Sequence, residues 1–237
     1  MRSPRILASG DAALTVEFGS TIDPRLNARV LSLDARVAAG VPGVIETVPT
    51  YRLLLVHYDP LATDFEELAQ GLLALCGDLP DTPAEARVWR IPVVYGGDFG
   101  IDLEDVAARH GISPAELISK HSSPTYRVYM IGFLPGFSYL GGLDPAIATP
   151  RRESPRTDTP AGTISIGGVQ ALVASIAAPS GWHLLGRTPV RTFMPGRDPT
   201  FLLGPGDRVR FEAIPASRWD ALDRAAASGD PVAEVIG

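Results

Sequence analysis

The sequence predicts an α+β fold: a small N-terminal βαββαβ unit of ferredoxin-like pattern, followed by a small β-barrel or sandwich. Three observations carry this. Strand-like alternation and helix-like periodicity take turns up to about residue 95. A Pro- and Asp-rich stretch, "GDLPDTPAEA" at 77–86, reads as a linker. From Thr125 onward the runs are short and β-rich, with many Gly and Pro and no helical period.

The elements follow in order. "AALTVEF" (12–18) alternates and predicts a strand. "DPRLNARVLSLDARVAAG" predicts a helix, with Asp23 as N-cap, Pro24 at the first helical position and Gly40 as its stop. Leu26, Val30, Leu33 and Val37 fall on one face of it. "GVIETVP" and "YRLLLVHYDP" are two strands ended by Pro49 and Pro60. Thr63-Asp64-Phe65-Glu66 reads as a capping box that opens a helix closed by Gly77. "ARVWRIPVVY" (86–95) supplies the sixth element of the βαββαβ order. Beyond the linker, "DLEDVAARHG" and "SPAELISKHSS" are two short helices, the second opened by the capping box Ser113-x-x-Glu116. "GPGDRVRFEAI" (204–214) is a tight turn into a late strand, and "SRWDALDRAAASG" (217–229) a C-terminal helix. The expected organisation is an α+β domain over 1–80, a β domain over 87–215, and a helix and tail over 216–237.

Composition narrows the function. A net charge of −6 argues against nucleic acid, whose binding rests on Lys and Arg neutralising phosphates. One cysteine, Cys76, leaves no disulfide framework or cysteine-rich metal site, and the four histidines lack metal-ligand spacing. No metal site is expected. No apolar run suits a signal peptide or a membrane span, so a cytoplasmic protein is expected. Lys120 is the only lysine, so an amine-based mechanism must use it or the N-terminal amine. Dinucleotide, Walker and serine-elbow motifs are absent, and "GDFG" (97–100) reads as a turn before a helix.

Chemistry concentrates between residues 120 and 188. "YMIGFLPGFSYLGG" (129–142) combines glycines, a proline and rings in a way neither a core strand nor a solvated loop needs. Glycine admits close backbone approach and proline fixes the turn, so Phe133, Pro135, Gly136, Phe137 and Tyr139 could form a ligand wall. The other reading is a barrel corner plugged by its rings. "TPRRESPRTDTPAG" sets Arg151, Arg152 and Arg156 among prolines that stiffen the loop. Guanidinium suits a carboxylate or phosphate; Arg151 and Arg156, beside prolines, are preferred over Arg152. Ion pairs with Glu153 and Asp158 are the alternative. His121, at a helix C-terminus, could be a protonated anion contact, a proton carrier, or only a helix-end residue. His110 reads as a last-turn helix residue and Trp182 as core; Arg187 is either a third anion contact or a turn residue.

These residues resemble a known family. "HSSPTYRVYMIGFLPGFSYLGGLDPAIATPRRESPRTDTPAGTISIGG" and "GWHLLGRTP" are similar to the B-type subunit of 5-oxoprolinase, a family also called KipI-type or allophanate hydrolase subunit 1. "GDAALTVEFG", "VPTYRLLLVHYDP" and "IPVVYGGDFGIDLEDVA" extend the resemblance from about Gly10 to Phe211. It implies that the C-terminal domain is a cyclophilin-like barrel. It implies a partner, the C-type subunit of 5-oxoprolinase, and a third subunit of different fold. Together the three open 5-oxoproline to L-glutamate at the expense of ATP. ATP, with Mg, is then a cofactor of the complex, at no site the sequence locates on this chain. The substrate contacts implied are Phe133, Pro135, Gly136, Phe137, Arg151, Arg156, Gly162, Thr163 and Arg187, with His121 and Tyr139 as candidate catalytic residues. One segment departs from the family pattern: Ala174 and Ser175 stand where Tyr-Pro is usual. Two other roles occur around this family: inhibition of a sensor histidine kinase, and a carboxyl-transfer or urea-related amide-hydrolase module. The second would need carboxybiotin, and no biotin-carrier segment is present.

Overall fold

A computed structural model of the chain describes residues 3–237; Met1, and with it the N-terminal amine, lies outside them. Two compact units are present, Met1–Glu85 and Ala86–Gly237.

The first unit contains β1 (Arg5–Ala8), β2 (Ala13–Glu17), α1 (Pro24–Ala38), β3 (Val44–Pro49), β4 (Leu53–Tyr58) and α2 (Phe65–Leu75). Its sheet runs β1-β2-β4-β3, antiparallel throughout. Val30, Leu33 and Val37 of α1 and Leu68 and Leu72 of α2 pack on Leu14, Val16, Leu54 and Val56 of the sheet. Asp23 caps α1, its carboxylate accepting from the Arg25 N–H. The cap of α2 lies one residue later than the predicted box: Asp64 accepts from the Glu67 N–H at 2.8 Å. The βαββαβ order needs a larger correction. The unit is ββαββα, and β1 occupies the edge beside β2. The predicted sixth strand belongs to the second unit, because its backbone pairs there along its whole length.

That strand is β5 (Val88–Tyr95). After it come α3 (Leu103–His110), α4 (Pro114–Ser122), β6 (Tyr126–Ile131), β7 (Ser138–Gly141), β8 (Arg156–Thr159), β9 (Thr163–Gly167), β10 (Gln170–Val173), β11 (Ala178–Ser180), β12 (His183–Arg187), β13 (Arg208–Ala213), α5 (Trp219–Ala227) and β14 (Glu234–Val235). Strands run β12-β9-β10-β7-β6-β13-β5, and β12 pairs back onto β5, closing a seven-stranded barrel. This is consistent with a cyclophilin-like barrel. β13 runs parallel to β5 along one edge; the other edge of β5 is shared between β12 and β14. The segment 216–237 is therefore no separate tail, since β14 hydrogen-bonds into this sheet. β8 and β11 form a separate two-stranded ribbon.

Closure turns alternate residues inward. Ile91, Val93, Tyr126, Val128, Leu140, Ile164, Ile166, Val173, Leu185 and Val209 are buried in the main core. Each such aliphatic side chain contributes about 1.5–3 kcal/mol of burial. The neighbours of Leu140 and Ala171 in the same strands point outward, and that outer face carries the candidate site. Among the described residues no helix is long and apolar enough to cross a membrane.

Candidate functional site

Within β7, Ser138 and Leu140 are fully buried while Tyr139 between them is half-buried on the outer face. Tyr139 pairs in register with Leu172 of β10, so the two make a floor of adjacent strands. The loop joining β6 to β7 folds over this floor, closed by hydrogen bonds from Gly132 N–H to Phe137 O and from Phe137 N–H to Leu134 O. Two residues in the loop have left-handed backbone. Gly136 is at φ +73°, and a β-carbon there would lie 2.6 Å from Cβ of Phe193. Phe133 takes φ +71° with a full side chain and is 65% exposed. A strained, solvent-facing phenyl group costs free energy in the isolated chain, of order 1 kcal/mol or more, and such strain collects at binding sites.

The rings form a continuous wall. Phe133 meets Phe137 edge-on at 5.4 Å, Phe137 meets Tyr139 at 6.1 Å, and Tyr139 meets Trp182 edge-on at 6.0 Å. At the far end the Arg151 guanidinium lies 5.4 Å over the Trp182 ring. With Arg152, Leu172, Pro179 and Ser180, these rings line a cleft of about 290 Å³. That volume suits a small ligand.

A buried carboxylate fixes the arginine side of the cleft. Asp102 opens α3 and is 2% exposed. Arg156 donates to it twice, at 2.9 and 2.6 Å, Arg152 donates at 3.3 Å, and the Leu184 N–H donates at 2.8 Å. Burial alone would raise this carboxyl. The Arg156 hydrogen bonds, the Leu184 N–H and the two guanidinium charges outweigh it and hold Asp102 below the ordinary carboxylate range. The backbone is tied as well: Arg152 N–H reaches Gly181 O at 2.8 Å, and His183 Nε2 meets Pro150 O at 2.9 Å.

The site residues expected from the sequence separate into groups. Phe133, Phe137, Tyr139 and Arg151 come together on the cleft. Gly136 lies behind it and shapes the loop, while the Pro135 carbonyl accepts from Ser175 Oγ. Arg156 does not line the cleft, and both its terminal nitrogens are held by Asp102. Its acidic partner is neither Glu153 nor Asp158, the two acids that neighbour it in sequence, but Asp102. Gly162, Thr163 and Arg187 do not line the cleft. Gly162 is at φ +75°, and a β-carbon there would lie 2.2 Å from the Thr188 carbonyl oxygen. Thr163 Oγ1 donates to Pro160 O, and Arg187 donates twice to Ala161 O beneath the Trp219 ring. These three residues lock the seam between β9 and β12.

His121 requires the largest correction. It is fully buried, its Nδ1 is 2.8 Å from Tyr95 Oη, and its ring stacks on Phe211 at 5.0 Å. Burial lowers its pKa to about 3. It is therefore a neutral core residue, not a cation at a helix end, because loss of water outweighs the helix dipole. Its ring partners Tyr95, Tyr126 and Phe211 do not line the cleft. Lys120 is also removed from the cleft, lying 3.8 Å from both Glu116 and Asp144.

Leu172, Pro179 and Ser180 in the cleft and Asp102 behind it are absent from the sequence-based candidates, Arg152, ranked there below Arg151 and Arg156, lines the cleft, and Trp182 is both core and cleft wall. Burial raises the pKa of Tyr139, an effect that the Arg151 charge partly opposes, so the phenol is a hydrogen-bond donor at neutral pH. Tyr139→Phe keeps the ring and removes that donor. The variant should melt within a few degrees of the wild type yet bind a polar ligand about 0.5–1.5 kcal/mol more weakly. Unchanged ligand affinity in calorimetry would make Tyr139 wall only.

The second unit is thus a closed barrel with an aromatic cleft on its outer face and an arginine at the cleft's rim. Residues 4–203 match the family described as carboxyltransferase domain, subdomain C and D. The chain is 39% identical to the B-type subunit of 5-oxoprolinase from Bacillus subtilis (strain 168) over 225 residues, covering 90% of this chain and 93% of that protein. It belongs to the family of 5-oxoprolinase B-type subunits. The crystal structure of TTHA0988 is similar with a TM-score of 0.77 and 36% identity; it covers 86% of this chain, which spans 40% of that longer one. The K. lactis urea amidolyase structure is similar over 99% of this chain and 16% of its own, with a TM-score of 0.84; its 19% identity shows the fold alone.

Proposed function

We propose that this chain is the component of an ATP-dependent 5-oxoprolinase that receives the cyclic amide, and that it acts with the C-type subunit and a third subunit to give L-glutamate. The observation that carries this reading is Arg151, a guanidinium that closes an aromatic wall and forms no ion pair among the described residues. 5-Oxoproline is a small flat lactam bearing one carboxylate. Its ring suits the faces of Phe137, Tyr139 and Trp182, and its carboxylate suits Arg151. The Tyr139 hydroxyl and Ser180 Oγ are the neutral polar groups at hand for the amide.

The cleft's lining contains no carboxylate, imidazole or amine among the described residues. Nor do three or more His, Cys, Asp or Glu side chains come together among those residues as a metal site would require. The chain as built can bind and orient a lactam, exclude water from one face of it and donate hydrogen bonds. The cleft lining itself supplies no general base, which accords with a role within a multi-subunit enzyme. ATP, when bound, supplies the phosphoryl group that makes the unreactive amide oxygen a leaving group. Magnesium would then arrive with the nucleotide.

Arg151→Ala tests the reading in the reconstituted complex. Removing one charge-assisted contact should lower kcat/KM for 5-oxoproline by roughly 1.5–3 kcal/mol, while the variant still co-elutes with the C-type subunit. Wild-type kinetics in that variant would sink the proposal.

A further inference from the structure

We infer that a second pocket, beside the aromatic cleft, is a site for a phosphoryl oxyanion held by Arg109, Arg151 and Arg152. The pocket encloses about 520 Å³ and is lined by Arg109, Pro150, Arg151, Arg152, Glu153 and Ser154. Three guanidiniums face one carboxylate there, on a chain whose net charge is −6. Such local excess against the global charge draws an anion to one place on the surface.

One donor and the backbone of the loop are held before any ligand arrives. Arg152 is anchored on Asp102, and its N–H is bonded to Gly181 O at 2.8 Å. Thr149 and Gly168 exchange backbone hydrogen bonds at 3.2 and 2.7 Å. His110, next to Arg109 in the last turn of α3, places Nε2 2.9 Å from Thr149 Oγ1, pinning that turn to the arginine loop. The backbone that carries the arginines then needs little ordering when a ligand binds. Arg109 and Arg151 form no ion pair among the described residues, so their donors are available. A flat carboxylate is served by one guanidinium. Three in one pocket suit a tetrahedral, more highly charged oxyanion.

Position gives the pocket its meaning. Arg151 and Arg152 line both spaces, so a phosphoryl group in the pocket would lie next to a ring in the cleft. The identity of that ring rests on the proposed function; the oxyanion pocket does not. The phosphoryl group could belong to a nucleotide or be free, and the chemistry at the arginines is the same.

Calorimetry on the full chain separates these points, with inorganic pyrophosphate, AMP-PNP and 5-oxoproline titrated in turn. Pyrophosphate should bind the wild type, and Arg109→Ala should weaken it about ten-fold or more without altering 5-oxoproline binding. Glu153→Gln should tighten pyrophosphate, a gain that misfolding cannot imitate. AMP-PNP binding more tightly than pyrophosphate would assign the site to a nucleotide; equal or weaker binding would assign it to a free phosphoryl group. Pyrophosphate affinity that ignores both substitutions, or no pyrophosphate binding at all, overturns the pocket. If 5-oxoproline still binds in that case, the proposed function stands. If pyrophosphate binds through Arg109 and 5-oxoproline does not bind, the pocket stands and the cleft assignment falls.

Discussion

Replacing Asp102 with alanine should destabilise the second unit by roughly 3 kcal/mol, the largest effect expected from any single polar substitution near the cleft. The figure sits at the low end for broken buried pairs because the Arg156 side chain is 22% exposed and can recover some water. Four donor contacts lose their acceptor at once: two from Arg156, one from Arg152 and one from the Leu184 N–H. The Leu184 amide is buried in β12 and cannot turn to solvent, so its desolvation is left uncompensated. Asp102→Asn keeps an acceptor for that amide and removes the charge, so it should cost less than alanine. Trp89, Trp182 and Trp219 all lie in the second unit, so tryptophan fluorescence in urea follows that unit alone. The pH dependence has a definite sign. The folded pKa of Asp102 lies below the unfolded value, so its contribution is full above the unfolded pKa and is lost as pH falls through the folded one. The gap between wild type and Asp102→Asn should therefore close toward strongly acid pH. Equal urea midpoints for the two proteins at neutral pH would show that Asp102 is dispensable.

The same substitution should also loosen the arginine loop. Arg152 would lose its anchor, and with it the fixed position of Arg151 over Trp182. Ligand affinity should then fall further than the Arg151 contact alone explains.

Local chemistry was legible in the sequence where the cause is local. Caps such as Asp23 and Ser113 act within one turn, and both were read correctly. The glycines and rings of 129–142 also announced a special loop, and Gly136 takes the backbone that a side chain resists. What failed depended on distant partners. "ARVWRIPVVY" has strand character in any context; only β13, near the other end of the unit, decides that it belongs to the barrel. Proline beside Arg151 and Arg156 suggested equal roles. Asp102 separates them, and nothing near it in sequence marks it as their partner. His121 admitted a protonated helix-end role in the sequence because the Phe211 that stacks on it comes from β13.

His121 should make the second unit acid-labile. Its folded pKa is about 3 against an ordinary 6.5, with burial as the cause. Between those values the unfolded chain binds a proton that the native core refuses. Stability therefore rises with pH through the window: it is full above about 6.5 and is lost progressively toward 3. The slope approaches about 1.4 kcal/mol per pH unit for one proton. Tyr95 and Tyr126, which face the ring, offer no counter-charge, since burial raises both phenols and keeps them neutral. Nε2 has no hydrogen-bond partner, so a proton added there would meet no acceptor. His121→Asn can still hydrogen-bond to Tyr95 but cannot titrate. Urea midpoints followed by tryptophan fluorescence between pH 5 and 6.5, above the main carboxylate range, should fall steeply with acidification for the wild type and stay nearly flat for the variant. The absolute stability of the variant does not matter to this comparison, because lost packing adds a pH-independent offset and only the titrating groups set the slope. Parallel curves would mean that His121 is solvated or charged in the native state, and the neutral-core assignment would be withdrawn.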